Sequence, residues 1–344
     1  MKSTSRARIW RWAALALSIL LLAWVLRDVD VVRFLRIVAK AEFWPLLILP
    51  VAIAAEQLVR AFKWRQLLQP LRMVRVWRLF GATMAGYLAN MAAPVRVSPL
   101  VRAYLVARLE GLSTSTLLAT ISIDRLTDGL VFVGFTVLAL VFAEFSDATG
   151  ALWPTLMWGG VVSFVLFCVL MAGLFAGRRW FERPSAAPVL VGLTAWLPRT
   201  WREPVSGVVQ RFFAGALWPQ GIGLPCLIVG SAIAIKLLAI GHFFWVGLAF
   251  GVALGLVDYL FLMVFLGFIV ILTGTLRIVG GFTAGAVYVL QGLGVDVETA
   301  LAMTLTIQAI TVATVAATGA AALWIQGVRL STLLEVGGHD ATER

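Results

Sequence analysis

Residues 87–128 read YLANMAAPVRVSPLVRAYLVARLEGLSTSTLLATISIDRLTD. The stretch begins in an apolar segment and breaks at Asn90 and Pro94. It then carries Arg96, Arg102 and Arg108, and it re-enters an apolar segment that holds Asp124, Arg125 and Asp128. Charges inside and beside a broken hydrophobic segment are costly to place in lipid, so each needs a partner or a task.

The rest of the chain supplies that lipid context. The 344 residues are 61% hydrophobic and 13% charged, with a mean hydropathy of +0.96. A soluble chain carries roughly a quarter charged residues. The apolar runs are continuous rather than alternating, which selects membrane-spanning helices over a β-barrel. The net charge is +11. In a membrane protein this reflects basic cytoplasmic loops and anionic headgroups. No aromatic–basic motif for nucleic acid is present, so none is expected as a partner. Cys168 and Cys226 sit in apolar segments and read as packing residues. His242 and His339 give no metal spacing, so no metal or cofactor is expected.

Taken in order, Lys2, Arg6, Arg8 and Arg11 precede a first apolar segment at about 9–26, which places the N-terminus in the cytoplasm. Residues 27–42 show the spacing of an amphipathic surface helix. A second segment covers about 43–62, with Pro45 in its first turn and Glu56 and Arg60 spaced to pair. Arg60, Lys63, Arg65, Arg72, Arg75 and Arg78 read as a basic cytoplasmic link. The third segment, about 79–93, is too short to span comfortably and reads as a broken or re-entrant helix. The fourth, about 113–143, starts at a Ser113-Thr114-Ser115 cap. Asp124 lies 11 residues past Ser113, about 16 Å along a helix and so near mid-membrane. Glu144 and Asp147 mark an outer loop, and a fifth segment covers about 153–176.

Residues 177–221 form a polar cytoplasmic link, with Val205–Leu217 the best amphipathic candidate. The second half, 222–330, holds segments at about 222–247 with Lys236, 252–273, and 299–325. Between the last two, Gly274, Arg277, Gly280, Gly281 and Gly285 interrupt the apolar pattern. The run Ala284–Leu290 reads as a half-helix at most. This second break answers the one at Asn90–Arg96. Paired interrupted segments point to a central site in transporter folds. The expected fold is therefore an all-α polytopic membrane protein. It has about eight hydrophobic segments, two re-entrant or broken helices and the pattern of a two-fold pseudo-repeat. A single transmembrane domain spans 1–330 (halves 1–176 and 222–330 about the link 177–221), and 331–344 is a disordered tail.

Asp124 and Asp128 share a helix face one turn apart. They read either as ion-pair glue to Arg96, Arg102, Arg277 or Lys236, or as a polar site for a headgroup or a proton. Arg96 and Arg102, just past a helix break, suit phosphate; the plainer alternative is snorkelling to the interface. Arg277 sits in a backbone break deep in an apolar region. No Walker A, Ser-His-Asp or H-E-x-x-H pattern occurs.

These residues carry a resemblance. Asn90, Pro94, Arg96 and Arg102, followed by Asp124, Arg125 and Asp128, resemble the motifs of the transmembrane, flippase-like region of lysylphosphatidylglycerol synthases and its stand-alone relatives. Gly280-Gly281, Leu293-Gly294-Val295 and the segment Ala300–Trp324 are similar to that family's C-terminal part. Ser98-Pro99 stand where Gly-Glu is usual, Asp124 replaces Glu, and no Glu follows Gly280-Gly281. The resemblance implies lipid translocation without an aminoacyl-transferase domain, in a bacterial inner membrane. The implied cargo is an aminoacylated phospholipid, an isoprenoid-linked lipid or a hopanoid. The expected substrate-binding residues are Asn90, Arg96, Arg102, Asp124, Arg125, Asp128, Lys236 and Arg277, with no catalytic residue. Membrane lipids are the expected partners, with a second copy or lipid-biosynthesis enzymes as candidate protein partners. The alternatives are a small-solute transporter and a non-catalytic assembly partner; a lipid-modifying enzyme would need a nucleophile or base that the motifs do not supply.

Overall fold

The computed structural model describes residues 26–27, 29–92, 97–142, 152–182, 199–274 and 279–327. The first apolar segment up to residue 25, the acidic loop at Glu144 and Asp147, the tail 331–344, Arg96 and Arg277 lie outside the described residues. Among the described residues the chain is all helical, with eleven helices and no strand. In chain order they are α1 (Val31–Lys40), α2 (Phe43–Leu68), α3 (Val76–Ala92), α4 (Ser98–Glu110), α5 (Thr114–Phe142) and α6 (Leu152–Phe181), then α7 (Arg199–Ala214), α8 (Gly223–Ala249), α9 (Leu256–Gly274), α10 (Val279–Gly292) and α11 (Val297–Ile325). Five helices, α2, α5, α6, α8 and α11, are long and apolar enough to cross a membrane.

The chain divides into two compact units. One contains residues up to 53, 132–162 and 237–312. In it α1 begins where Asp30 Oδ1 accepts from the Val32 and Arg33 N–H groups at 2.8 and 3.1 Å, an N-cap that satisfies the free first-turn donors. Val31, Leu35 and Val38 fall on one face and are exposed, which suits a helix lying in an interface. Arg33 on the same helix pairs with Asp296 and Glu298 at the start of α11. Trp44 packs edge-on against Trp245. Gly285 of α10 lies against Ile269 and Phe265 of α9. These residues sit on either side of the 275–278 connection, so α9 and α10 fold back on each other as a hairpin. The expected half-helix at 284–290 is longer than that run, a helix of 14 residues that begins before Gly280-Gly281, and it is still not among the helices long enough to cross a membrane.

The other unit contains residues 54–131, 163–236 and 313–344. Its core joins Trp64, Leu67, Leu68, Leu79, Val101, Leu105, Leu117 and Ile123, all buried. Residues 98–110, which the reading above left as a charged connection, form the 13-residue α4. Pro99 stands in its first turn, where proline is tolerated. Asn90 Oδ1 accepts from the Val97 and Ser98 N–H groups at 2.8 and 2.9 Å, so the last turn of α3 caps the start of α4. Gly111, with φ 66°, closes α4 in the left-handed conformation. Buried Glu110 at that end receives Arg78 at 2.8 Å and Arg72 at 3.3 Å. The pairings 90 with 98, 86 with 102 and 78 with 110 run in opposite senses along the chain, so α3 and α4 form an antiparallel hairpin.

Two glycines set how close α3 comes to its neighbours. A Cβ on Gly86 would stand 2.9 Å from Ser98 Oγ and 3.0 Å from the Ser98 carbonyl oxygen. A Cβ on Gly319 of α11 would stand 2.9 Å from the Met84 carbonyl oxygen. On the outer side, Val161, Val162, Phe164, Val165, Leu166 and Val169 of α6 are exposed, as a lipid-facing helix requires. Replacing Gly86 with Val drives side-chain carbons into the backbone of α4, an overpacking cost of about 1–3 kcal/mol. Thermal unfolding in detergent should show a clearly lowered midpoint for Gly86→Val and a smaller drop for Gly86→Ala; an unchanged midpoint would mean that the hairpin is looser than described.

Candidate functional site

The second unit buries a group of charges drawn from four helices. On α2, Glu56, Arg60 and Lys63 are spaced i, i+4 and i+7 and share one face. Arg60 Nη2 donates to Glu56 Oε1 at 3.0 Å and its Nη1 to Asp128 Oδ2 at 2.6 Å. Lys63, fully buried, donates to Asp128 Oδ1 at 2.5 Å and to the Asp124 carbonyl oxygen at 2.9 Å. Its ammonium also pairs with Asp124 Oδ1 at 3.1 Å. Trp64 Nε1 donates to Thr120 Oγ1 at 3.0 Å. The contacts 64 with 120, 63 with 124 and 60 with 128 show that α2 and α5 run antiparallel here.

Arg60 and Lys63 are therefore not part of a cytoplasmic link. Helix α2 continues to Leu68, and both side chains turn into the protein. Their common face with Glu56 was the sequence signal for this. Of the expected site residues, Asp124, Asp128, Arg102 and Lys236 meet in this unit. Arg102 of α4 is fully buried, and its Nη2 lies 3.8 Å from Asp124 Oδ2. Its guanidinium carbon stands 4.5 Å from the Trp64 ring centroid, a cation–π arrangement. None of its three nitrogens has a hydrogen-bond partner among the described residues. Lys236 of α8 lies within electrostatic reach of Asp128, Arg60, Glu56 and Lys63. Tyr87 of α3, which the sequence gave no reason to single out, lies within reach of Arg60, Arg125 and Arg102.

Asn90 is used differently from the others, since its carboxamide oxygen caps α4. Arg125 projects about 100° round α5 from Asp124, the step between successive helical residues, and its side chain is exposed. Ser98 Oγ and both carboxylate oxygens of Asp124 have no hydrogen-bond partner among the described residues. The Asp124 carboxylate is held by ion pairs alone.

Counting Arg60, Lys63, Arg102 and Lys236 against Glu56, Asp124 and Asp128, the inward-facing group carries a formal excess of one positive charge. An uncompensated excess, next to a guanidinium whose donors are unused, gives the site the capacity to take an anion with several acceptor oxygens. Removing Lys63 instead exposes the reverse problem, two buried carboxylates short of a cation. Lys63→Met should destabilise the protein by about 3–5 kcal/mol, and the double change with Asp128→Asn should recover part of that. Denaturant or thermal unfolding of the single and double variants measures it; simple additivity would show that Lys63 and Asp128 do not interact.

No curated protein and no solved structure matches the chain. The family described as "Lysylphosphatidylglycerol synthase TM region" matches residues 11–319, and the chain belongs to that family.

Proposed function

We propose that this protein moves an amphipathic, phosphate-bearing lipid from one leaflet to the other, acting as a transporter and leaving the lipid chemically unchanged. The observation that carries the reading is Arg102: a fully buried guanidinium with unused donors, inside a group of charges with net positive excess, next to the break between α3 and α4. A buried cation without hydrogen bonds is expensive. A ligand phosphate that supplies acceptors repays that cost, and family membership makes a lipid the natural source of it.

In this reading the α3–α4 and α9–α10 hairpins are re-entrant elements that let polar groups reach into the bilayer. Arg102 holds the phosphate. Asp124 and Asp128 hold a cationic headgroup or a proton, and Lys63 and Arg60 keep those carboxylates in place between cargoes. Asn90 acts as a positioning residue, fixing the start of α4 and so the depth of Arg102. The membrane is the inner membrane of a bacterium, with the N-terminus in the cytoplasm. A second copy and lipid-biosynthesis enzymes are the candidate protein partners.

The test is translocation of labelled phospholipids by the purified protein in proteoliposomes, read by chemical quenching of the outer leaflet. Arg102→Gln should slow translocation at least tenfold while the protein still folds and inserts, although its ion pair with Asp124 and its contact with Trp64 are lost. Asp124→Asn should slow it as well. Full activity in both folded variants would sink the assignment, and uptake of a small polar solute without lipid movement would favour a solute transporter.

A further inference from the structure

A groove of about 400 Å³ opens on the same unit, away from the buried carboxylates. Pro99 in the first turn of α4 forms one edge. Leu118, Ile121, Ser122, Arg125 and Leu126 of α5 form the floor, and Leu170 and Leu174 of α6 form the far wall. Apart from Ser122 and Arg125 the lining is hydrocarbon. Leu170 is 47% exposed and continues the lipid-facing surface of α6.

Arg125 has no hydrogen bond or ion pair among the described residues; the carboxylates of Asp124 and Asp128 on its own helix are engaged by Lys63, Arg60 and Arg102. With α5 upright and centred in the bilayer, snorkelling relieves it only in part. An upright helix of 29 residues is about 43 Å long, against a hydrocarbon core of about 30 Å. As the twelfth residue of a centred α5, Arg125 sits about 10 Å inside the hydrocarbon boundary. A guanidinium at that depth with an apolar groove on one side needs an anion delivered along a hydrocarbon chain.

From this geometry we propose that the groove is a docking site for an anionic lipid, with one hydrocarbon chain along Leu118, Leu126, Leu170 and Leu174 and its phosphate on Arg125. The proposal deepens the transport reading and rests on it for its role: the groove is where the cargo waits, one residue along α5 from Asp124, with Tyr87 within electrostatic reach of both Arg125 and Arg102. Charge complementarity selects the occupant. A lipid with net negative charge satisfies Arg125, whereas a zwitterionic lipid brings its own cation to the same place.

The experiment is native mass spectrometry of the full chain in neutral detergent, titrated with acyl-matched phosphatidylglycerol and phosphatidylcholine, with inorganic phosphate as a third arm. The wild type should retain phosphatidylglycerol in preference to phosphatidylcholine. Arg125→Gln should cut that preference about tenfold or more, Arg125→Lys should keep part of it, and Leu170→Trp, which fills the groove without touching a charge, should weaken both lipids. Equal binding of the two lipids, a preference that survives Arg125→Gln in folded protein, or competition by inorganic phosphate as strong as by lipid would overturn the proposal. So would a dimer lost in Leu170→Trp without lipid preference, which would assign the face to a second copy. Measuring translocation on the same preparations separates the two readings. Lipid preference without translocation leaves the groove and removes the transport role, while translocation by wild type without preference does the reverse.

Discussion

The ammonium group of Lys63 reaches Asp128 through one hydrogen bond, the Asp124 backbone through another, and the Asp124 carboxylate as an ion pair, all out of contact with solvent. Two carboxylates one turn apart on α5 repel each other, and only a cation between them makes their joint burial tolerable. That requirement fixes the pairing of α2 with α5. It also places Trp64, the next residue, where its indole N–H meets Thr120 and its ring faces the Arg102 guanidinium. The α3–α4 hairpin is then seated by Arg102 on one side and by the close approach at Gly86 and Gly319 on the other.

Asp124 sits between two arginines that have the same chemistry and opposite surroundings. Arg102 comes from another helix into a sealed interior. Arg125 is the next residue of the same helix and faces an apolar groove. The step of 100° per residue along α5 is what separates them. A helix that presents one arginine outward beside a carboxylate facing inward links a surface open to lipid with an interior able to hold charge. Tyr87 lies within electrostatic reach of both guanidinium groups.

The differences between the reading of the sequence and the structure share one cause. Arg60 and Lys63 read as the end of a membrane segment because charge density is the usual mark of an interface. In the structure the helix runs on to Leu68, and the partners that make their burial affordable lie more than sixty residues away on α5. Helix α4 was hidden by Arg102, Arg108 and Pro99, although proline in a first turn is itself a helix-start signal. In the second half, Gly280-Gly281 suggested a broken stretch where a 14-residue helix begins. The spacing of Glu56, Arg60 and Lys63 on one face was available, and it outweighs charge density as evidence.

By itself the sequence determined the all-helical membrane class, the starts of the long helices to within a few residues, an amphipathic helix within 27–42, and the positions of the break after Asn90 and of the charges in α5. These follow from local quantities: hydropathy over a window, the 3.6-residue period and the cap residues that begin a helix. Only the tertiary structure decided which charges meet. The period fixes the face on which Asp124 and Asp128 lie, but not which helix packs against that face. The choice of Lys63 and Arg60 as partners, the isolation of Arg102 and the exposure of Arg125 depend on contacts between helices distant in the chain, and no local pattern encodes those.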